Sequence, residues 1–391
     1  MEVDADLYSA LDDVDDPYPI WAEGRRKCPV EHVAVGGVSE DMYVVHRRAD
    51  VEAVLRDSET FSSRVNDDTM GPIMGRTLIA MDGADHRRHR DVVARAFRAS
   101  SLERWSDEVI LPTMHSLLDD IAPNGKAELV AELTARFPVQ VIAAILGVPV
   151  DDYDRFQDWA DGISMGPRDP ERSKAASKAM TVYLEPIVAE RRANPCGDLL
   201  SELVVAEVDG ERLDDDHLYG FLRLLLPAGA ETTYRMLGNC LAALLLHPEA
   251  LAEVTADRSL VPTVVEETLR WETSVTMVNR ETTREVELAG CPVPAGAVLL
   301  AVTGSANRDE SCYDEPDRWD VHRPPKPHVA FGTGHHQCLG MHLARLELRL
   351  ALDAVLDRLP NLRCDPAFPP PQIKGLPFRS PPVLHVLFDA A

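Results

Sequence analysis

Residues 214–246 constrain the fold more than any other stretch of this chain. As one helix they would run for roughly 50 Å, and Asp214, Asp215 and Asp216 supply a cap and charges that suit a helix start. Around Leu222 to Leu226 and Leu241 to Leu246 the apolar residues cover nearly the whole circumference, so the helix is expected to pass through a core. Arg223, Glu231, Arg235 and Asn239 interrupt it and make it too polar for lipid. Pro227 lies mid-way, lacks an N–H and crowds the carbonyl of Arg223, so a bend or an opening is expected there. Gly229, Glu231, Thr232 and Thr233 follow at once. One reading of them is a threonine bonded back to the preceding turn, and the other is a polar site beside freed carbonyls.

The rest of the chain supplies enough material to surround such a helix. Of its 391 residues 45% are apolar and 27% charged, which suits a large buried core. Apolar residues recur at three and four spacing over 49–56, 85–97, 102–121, 133–146, 175–192, 261–272 and 340–358, predicting helices. Short alternating runs at 42–46 and 285–289, then 291–296 and 297–302, predict strands and a hairpin. Repeats, low-complexity tracts and long linkers are absent, and the Pro-rich stretches 323–328 and 368–371 are expected to be ordered loops. The expectation is a mainly α fold with small β-sheets, a single domain over 1–391 built round a long central helix at about 214–246.

Charge and cysteine usage remove several function classes. Forty Lys and Arg against 65 Asp and Glu leave a net charge of −25, the wrong sign for a phosphate-backbone partner, so nucleic acid is not expected. The first sixteen residues hold seven acidic groups and no Lys or Arg, which predicts a chain that is neither exported nor membrane-anchored, hence cytoplasmic. Seven cysteines without any C-x-x-C pair exclude the common zinc-ribbon, iron–sulfur, thioredoxin-like and c-type heme arrangements. An odd, scattered count suits a reducing compartment.

One segment concentrates chemistry: Phe331-Gly332-Thr333-Gly334-His335-His336-Gln337-Cys338-Leu339-Gly340. Gly332 and Gly334 let a backbone approach a flat or charged ligand, and a cysteine at a helix N-terminus gains thiolate character. Three other readings compete. A dinucleotide loop needs glycine where Gln337 stands. A zinc site from His335, His336, Cys338 and His342 has poor tetrahedral spacing. An inert core cysteine leaves the glycines and histidines unexplained.

F-G-x-G-x-H-x-C-x-G, complete at every position in this loop, resembles the heme-ligand signature of the cytochrome P450 family. Glu267-Thr268-Leu269-Arg270 is similar to the family's E-x-x-R, Pro316-Asp317-Arg318-Trp319 to its P-x-R-F, and Ala228-Gly229-Ala230-Glu231-Thr232-Thr233 to its oxygen-activation motif. The resemblance implies a soluble bacterial-type monooxygenase that inserts one oxygen atom from O2 into an organic molecule. It implies heme b with Cys338 as the axial thiolate and Phe331, Gly332 and Gly340 framing it, and Ala228 against the cofactor from the long helix. Propionate partners fall on His86 and Arg90, on Arg280 and on His336; Glu267, Arg270 and Arg318 become a structural triad. Glu231 and Thr232 become the acid–alcohol pair that delivers protons, and a largely apolar pocket is expected from Met74, Leu78, Leu225, Val275, Met277, Val278 and Phe378. No fused reductase fits in this length, so electrons from NAD(P)H are expected through a separate ferredoxin and ferredoxin reductase. Arg87, Arg88, Arg90, Arg95, Arg98 and Arg104, with Arg345 and Arg349, would form the docking patch for that acidic donor. Oxidative coupling or cyclisation by the same cofactor, or heme binding without turnover, are the alternatives.

Overall fold

The computed structural model of the chain describes residues 11–35, 39–149, 152–208 and 210–390. The helices that frame the site are α1 (Arg48–Arg56), α2 (Val65–Met74), α3 (Gly83–Ala94), α4 (Pro170–Ala193), α5 (Asp215–Leu246), α6 (Val261–Trp271) and α7 (Met341–Arg358). The long helix α5 has 32 residues, and the Asp214 carboxylate caps it by accepting a hydrogen bond from the His217 N–H at 2.9 Å. Leu222, Leu237, Leu241 and Leu244 are fully buried, as the apolar circumference requires. The helix packs against Arg136–Ile145, α6 and α7. Asn239, also fully buried, is tolerated because its side-chain amide donates to the carbonyls of Glu272 and Arg379.

Pro227 does not open α5, which stays helical from end to end. Leu226 and Pro227 are both buried, so packing around them carries the helix across the one missing hydrogen bond. Prolines leave a clearer mark elsewhere. The expected helix 102–121 is Ala99–Trp105, a wide π turn Ser106–Ile110 and then Leu111–Ile121, because Pro112 cannot donate to the carbonyl of Glu108. Pro138 does the same to 133–146, which opens with a π turn Val130–Thr134 before Arg136–Ile145.

Strands β1 (Val30–Val35), β2 (Ser39–Val45), β3 (Phe61–Ser62), β4 (Val278–Thr282) and β5 (Val298–Ala301) form one sheet in the order β1-β2-β5-β4-β3. Only β2 and β5 run parallel. Pairing Arg280 with Leu299 in this sheet puts the Arg280 side chain on the buried face, where alternation also places Thr282. The expected hairpin is Val286–Leu288 with Cys291–Val293, turned at Ala289 and Gly290, both at positive φ. No helix among the described residues is long and apolar enough to cross a membrane.

Candidate functional site

The cysteine loop is folded by its own backbone and braced from a distance. Gly332 N–H donates to the Val329 carbonyl and Cys338 N–H to the Phe331 carbonyl, both at 2.9 Å, and Gly334–His336 make a 3-10 turn. Gly332 lies at φ +65°, and a Cβ there, as at Gly340, would meet no atom within 4 Å, so these two glycines border open space. Gly334 has a different purpose from the one its spacing suggested. A Cβ on it would stand 2.5 Å from the Leu55 carbonyl, so it is glycine to let the loop lie on the end of α1.

Cys338 is accessible to solvent, yet burial among protein atoms raises its thiol pKa, opposed by the Gly340 N–H, Arg90 and Arg345. A group with both properties lines an internal space. Ala228 gives a similar signal on the long helix: it is exposed although Leu226, Pro227 and Ala230 around it on α5 are buried.

Beside this space four basic side chains converge. His86 and Arg90 come from α3, Arg280 from β4 and His336 from the loop. The rings of His86 and His336 are 4.1 Å apart, and Arg90 donates to the Gln337 carbonyl at 2.6 Å. Neither ring nitrogen of His86, which is 1% exposed, has a partner. Burial, then His336 and Arg90, push its pKa down to about 4. Burial lowers the Arg280 pKa to about 10, with Asp82 opposing; among the described residues its one side-chain hydrogen bond goes to the Asn279 carbonyl. Among the described residues Asp82 is the only carboxylate hydrogen-bonded within the group, at 3.4 Å from His336 Nε2, and it is itself held by Ser62 Oγ at 2.5 Å and Ser63 N–H at 3.0 Å. Two arginines and two histidines, of which His86 and Arg280 are buried, outnumber the one carboxylate bonded among them, and an anion placed beside them would relieve their mutual repulsion and favour protonation of the rings.

The brace corrects one expectation. Arg270 grips Glu267 with two bonds of 2.8 Å, and the third member is Arg323, whose Nε donates to Glu267 at 3.0 Å. Arg318 is not part of the triad: its side chain is 61% exposed and reaches Glu315 and Asp320, and only its carbonyl touches Arg270 and Arg323. Trp319 takes the inward direction at that turn by donating to Thr268 Oγ1, which leaves Arg318 outside. Arg270 also donates to the Asn307 carbonyl, and the Asn307 side chain accepts from Val329 N–H, so the brace reaches the root of the cysteine loop. Glu266, one residue earlier, binds Arg345 at 2.6 Å and His328 at 3.2 Å. Burial opposes its ionisation, but those hydrogen bonds bring its pKa down to about 2. Arg345 lies 4.6 Å over the Phe331 ring, so it is engaged here and not free for docking.

On α5 the Thr232 hydroxyl donates to the Ala228 carbonyl at 2.8 Å, the back-bonded reading, while Glu231 pairs with Arg235 at 2.9 Å. The acid and the alcohol therefore sit next to each other without touching through these bonds. The expected pocket residues divide. Met74 and Leu78 are buried, Met277 packs with Tyr18, Trp21 and Val302, and Val278 packs on the core of the sheet, which are core positions. Leu225 is partly buried beside Ala228, and Val275 and Phe378, bridged to each other, are part exposed and join none of the apolar cores. Two clefts of about 540 and 530 Å³ open outside this space; the first is rimmed by Arg95, Arg98 and Arg104, the second by Met81 and Asp82.

Fold and site together fit a class: a mainly helical protein with a long buried helix and, beside an accessible cysteine loop, a basic cluster that suits an anionic cofactor. The sequence profile of the family Cytochrome P450 matches residues 163–382. Cytochrome P450 107B1 of Saccharopolyspora erythraea is 35% identical over 354 residues, covering 86% of each chain. Cyclomarin C epoxidase CymV of Salinispora arenicola is 37% identical over 333 residues, covering 82% of this chain and 84% of its own. The solved structure of cytochrome P450 CYP109Q5 from Chondromyces apiculatus superposes with a TM-score of 0.88 at 34% identity, covering 96% of both chains. This chain belongs to the cytochrome P450 family, whose members are monooxygenases that bind heme b and use O2 with electrons derived from NAD(P)H. The residues present fit that group: unpartnered His86, under-paired Arg280 and the open faces of Gly332, Gly340 and Ala228 suit a flat ring carrying two carboxylates.

Proposed function

We propose that the chain oxygenates a largely apolar small molecule held beside α5, with the Cys338 thiolate as the group that would hold the heme iron. Heme b, when bound, supplies the dioxygen chemistry. Around it Phe331, Gly332 and Gly340 frame the thiolate, while His86, Arg90, Arg280 and His336 neutralise the propionates. The observation that carries this reading is a cluster of four basic groups, His86 and Arg280 buried among them, with Asp82 the one carboxylate bonded to it among the described residues, beside a solvent-reached cysteine. Glu231 and Thr232 hold and pass protons at the carboxylate and at Oγ1 in an otherwise dry pocket. Leu225, Val275 and Phe378 are the apolar wall that selects substrate, since they are part exposed and Val275 and Phe378 join none of the apolar cores.

Electrons reach the site from a separate acidic ferredoxin and its reductase. Support comes from Arg95, Arg98 and Arg104, which rim one cleft with Glu202 and Glu207 and make no ion pair among the described residues, in a chain whose net charge is −25. Seven free cysteines suit the reducing cytoplasm. The test is the difference spectrum of the reduced protein with carbon monoxide. The wild-type protein gives the band of thiolate-ligated heme and Cys338→Ala loses it; a band typical of histidine-ligated heme in the wild type would overturn the assignment. A screen of apolar ligands for displacement of iron-bound water then narrows the substrate.

A further inference from the structure

Arg235 has more contacts than a helix-surface ion pair needs. It stands one turn after Glu231 on α5 and fixes that carboxylate through Nη2 at 2.9 Å. With Nη1 it donates to Ser380 Oγ at 3.1 Å, on the C-terminal loop. Its guanidinium carbon lies 5.0 Å from the Tyr234 ring centroid and 5.5 Å from that of Phe378. Its Nε is buried with no partner, a loss that its bonds to Glu231 and Ser380 must offset. The loop at the other end is itself tied: Lys374 and Ser380 exchange backbone hydrogen bonds of 3.1 Å, and Phe378 bridges to Val275. Thr232 cannot orient the acid, because its hydroxyl donates to Ala228. The planar fork of arginine suits this two-ended grip, which a lysine could not reproduce.

We propose that Arg235 is a positioning residue that ties the Glu231 carboxylate to the C-terminal loop, so that the acid follows the loop segment carrying Phe378. The inference rests on the reading of Glu231 as the proton-handling acid. Its content is a link between pocket occupancy and acid position: a substrate pressing on Phe378 moves Ser380, and Arg235 transmits the shift to Glu231. An arginine that only stabilises the helix would give no such link.

The experiment uses the heme-loaded protein with its electron donor and four variants, Glu231→Gln, Arg235→Gln, Arg235→Lys and Ser380→Ala. The readouts are the C–O stretch of the reduced carbon monoxide complex, with and without a bound ligand, and the solvent deuterium isotope effect on turnover. Arg235→Gln is expected to shift the C–O stretch and at least double the isotope effect. Ser380→Ala keeps the ligand-free stretch of the wild type but loses the ligand-induced change, and Arg235→Lys restores the ligand-free stretch without restoring that change. Wild-type values in Arg235→Gln, together with altered values in Glu231→Gln, overturn the role of Arg235 and leave that of Glu231 standing. Wild-type values in Glu231→Gln overturn both.

Discussion

Glu347 is a carboxyl group for which the proposed chemistry has no task, set in the middle of α7 at 4% exposure with Oε2 unpartnered. Burial alone raises its pKa well above the usual carboxylate range, which favours the protonated form in the folded protein. The sign of the pH effect follows. An unfolded Glu347 ionises above about pH 4.3 while the folded one does not, so the unfolded state binds fewer protons and stability falls as pH rises. Glu347→Gln replaces the neutral acid by a neutral amide and removes that slope. The variant should match the wild type at pH 4 and exceed it towards pH 8 by a margin that grows at about 1.4 kcal/mol per pH unit for as long as the folded carboxyl stays protonated, measured by denaturant unfolding of the heme-loaded protein. A constant difference across that range would mean that Glu347 ionises in the folded state. Nothing in the sequence marks this residue, since a charged residue within a helical pattern reads as solvated until the helix's neighbours are known.

At the scale of elements the sequence was most informative where the signal is local. The loop 331–340, the long helix and the E-x-x-R pair are read from adjacent residues, and each is found where the spacing put it. Partners brought in by the fold escaped: Arg323 instead of Arg318, Asn307 joining α6 to the loop, Asp82 among the histidines, and Ser380 on Arg235. Helices Tyr18–Lys27, α2, Tyr153–Met165, Leu199–Val204 and Pro248–Ala256 were also unpredicted. Gly71 and Pro72 disguise α2, but Tyr153, Phe156, Trp159, Ala160 and Ile163 carry a helical spacing that could have been read. The brace yields a sharp comparison. Arg323→Ala leaves Glu267, 4% exposed, with one cation fewer, and should destabilise the protein by about 3 kcal/mol and lower heme retention. Arg318→Ala, on an exposed side chain, should stay within about 0.5 kcal/mol of the wild type. Thermal melts and the heme-to-protein ratio after purification check both, and the opposite order would restore Arg318 to the triad.

For the molecule as a whole the decisive quantity is how charge is distributed. A net charge of −25 would repel the proposed acidic donor at a distance, while Arg95, Arg98 and Arg104 would attract it at the rim of one cleft. The two effects act over different lengths, so salt separates them. At about 0.01 M the screening length is about 30 Å and the donor feels most of the chain; at about 0.1 M it is about 10 Å, and the patch outweighs the rest. At about 1 M it is about 3 Å and the patch is screened as well. The rate of heme reduction by an acidic ferredoxin should therefore rise with salt, pass through a maximum and fall. Changing Arg95, Arg98 and Arg104 together to Ala removes the attraction and leaves the repulsion. That variant should be slower by on the order of tenfold at the wild-type maximum, and its rate should only rise with salt. Stopped-flow reduction across the salt series, with the carbon monoxide spectrum as the check on folding, measures both curves. A variant that keeps the maximum would place the donor on another face of the protein, where Arg87 or Arg349 would be the next cations to change.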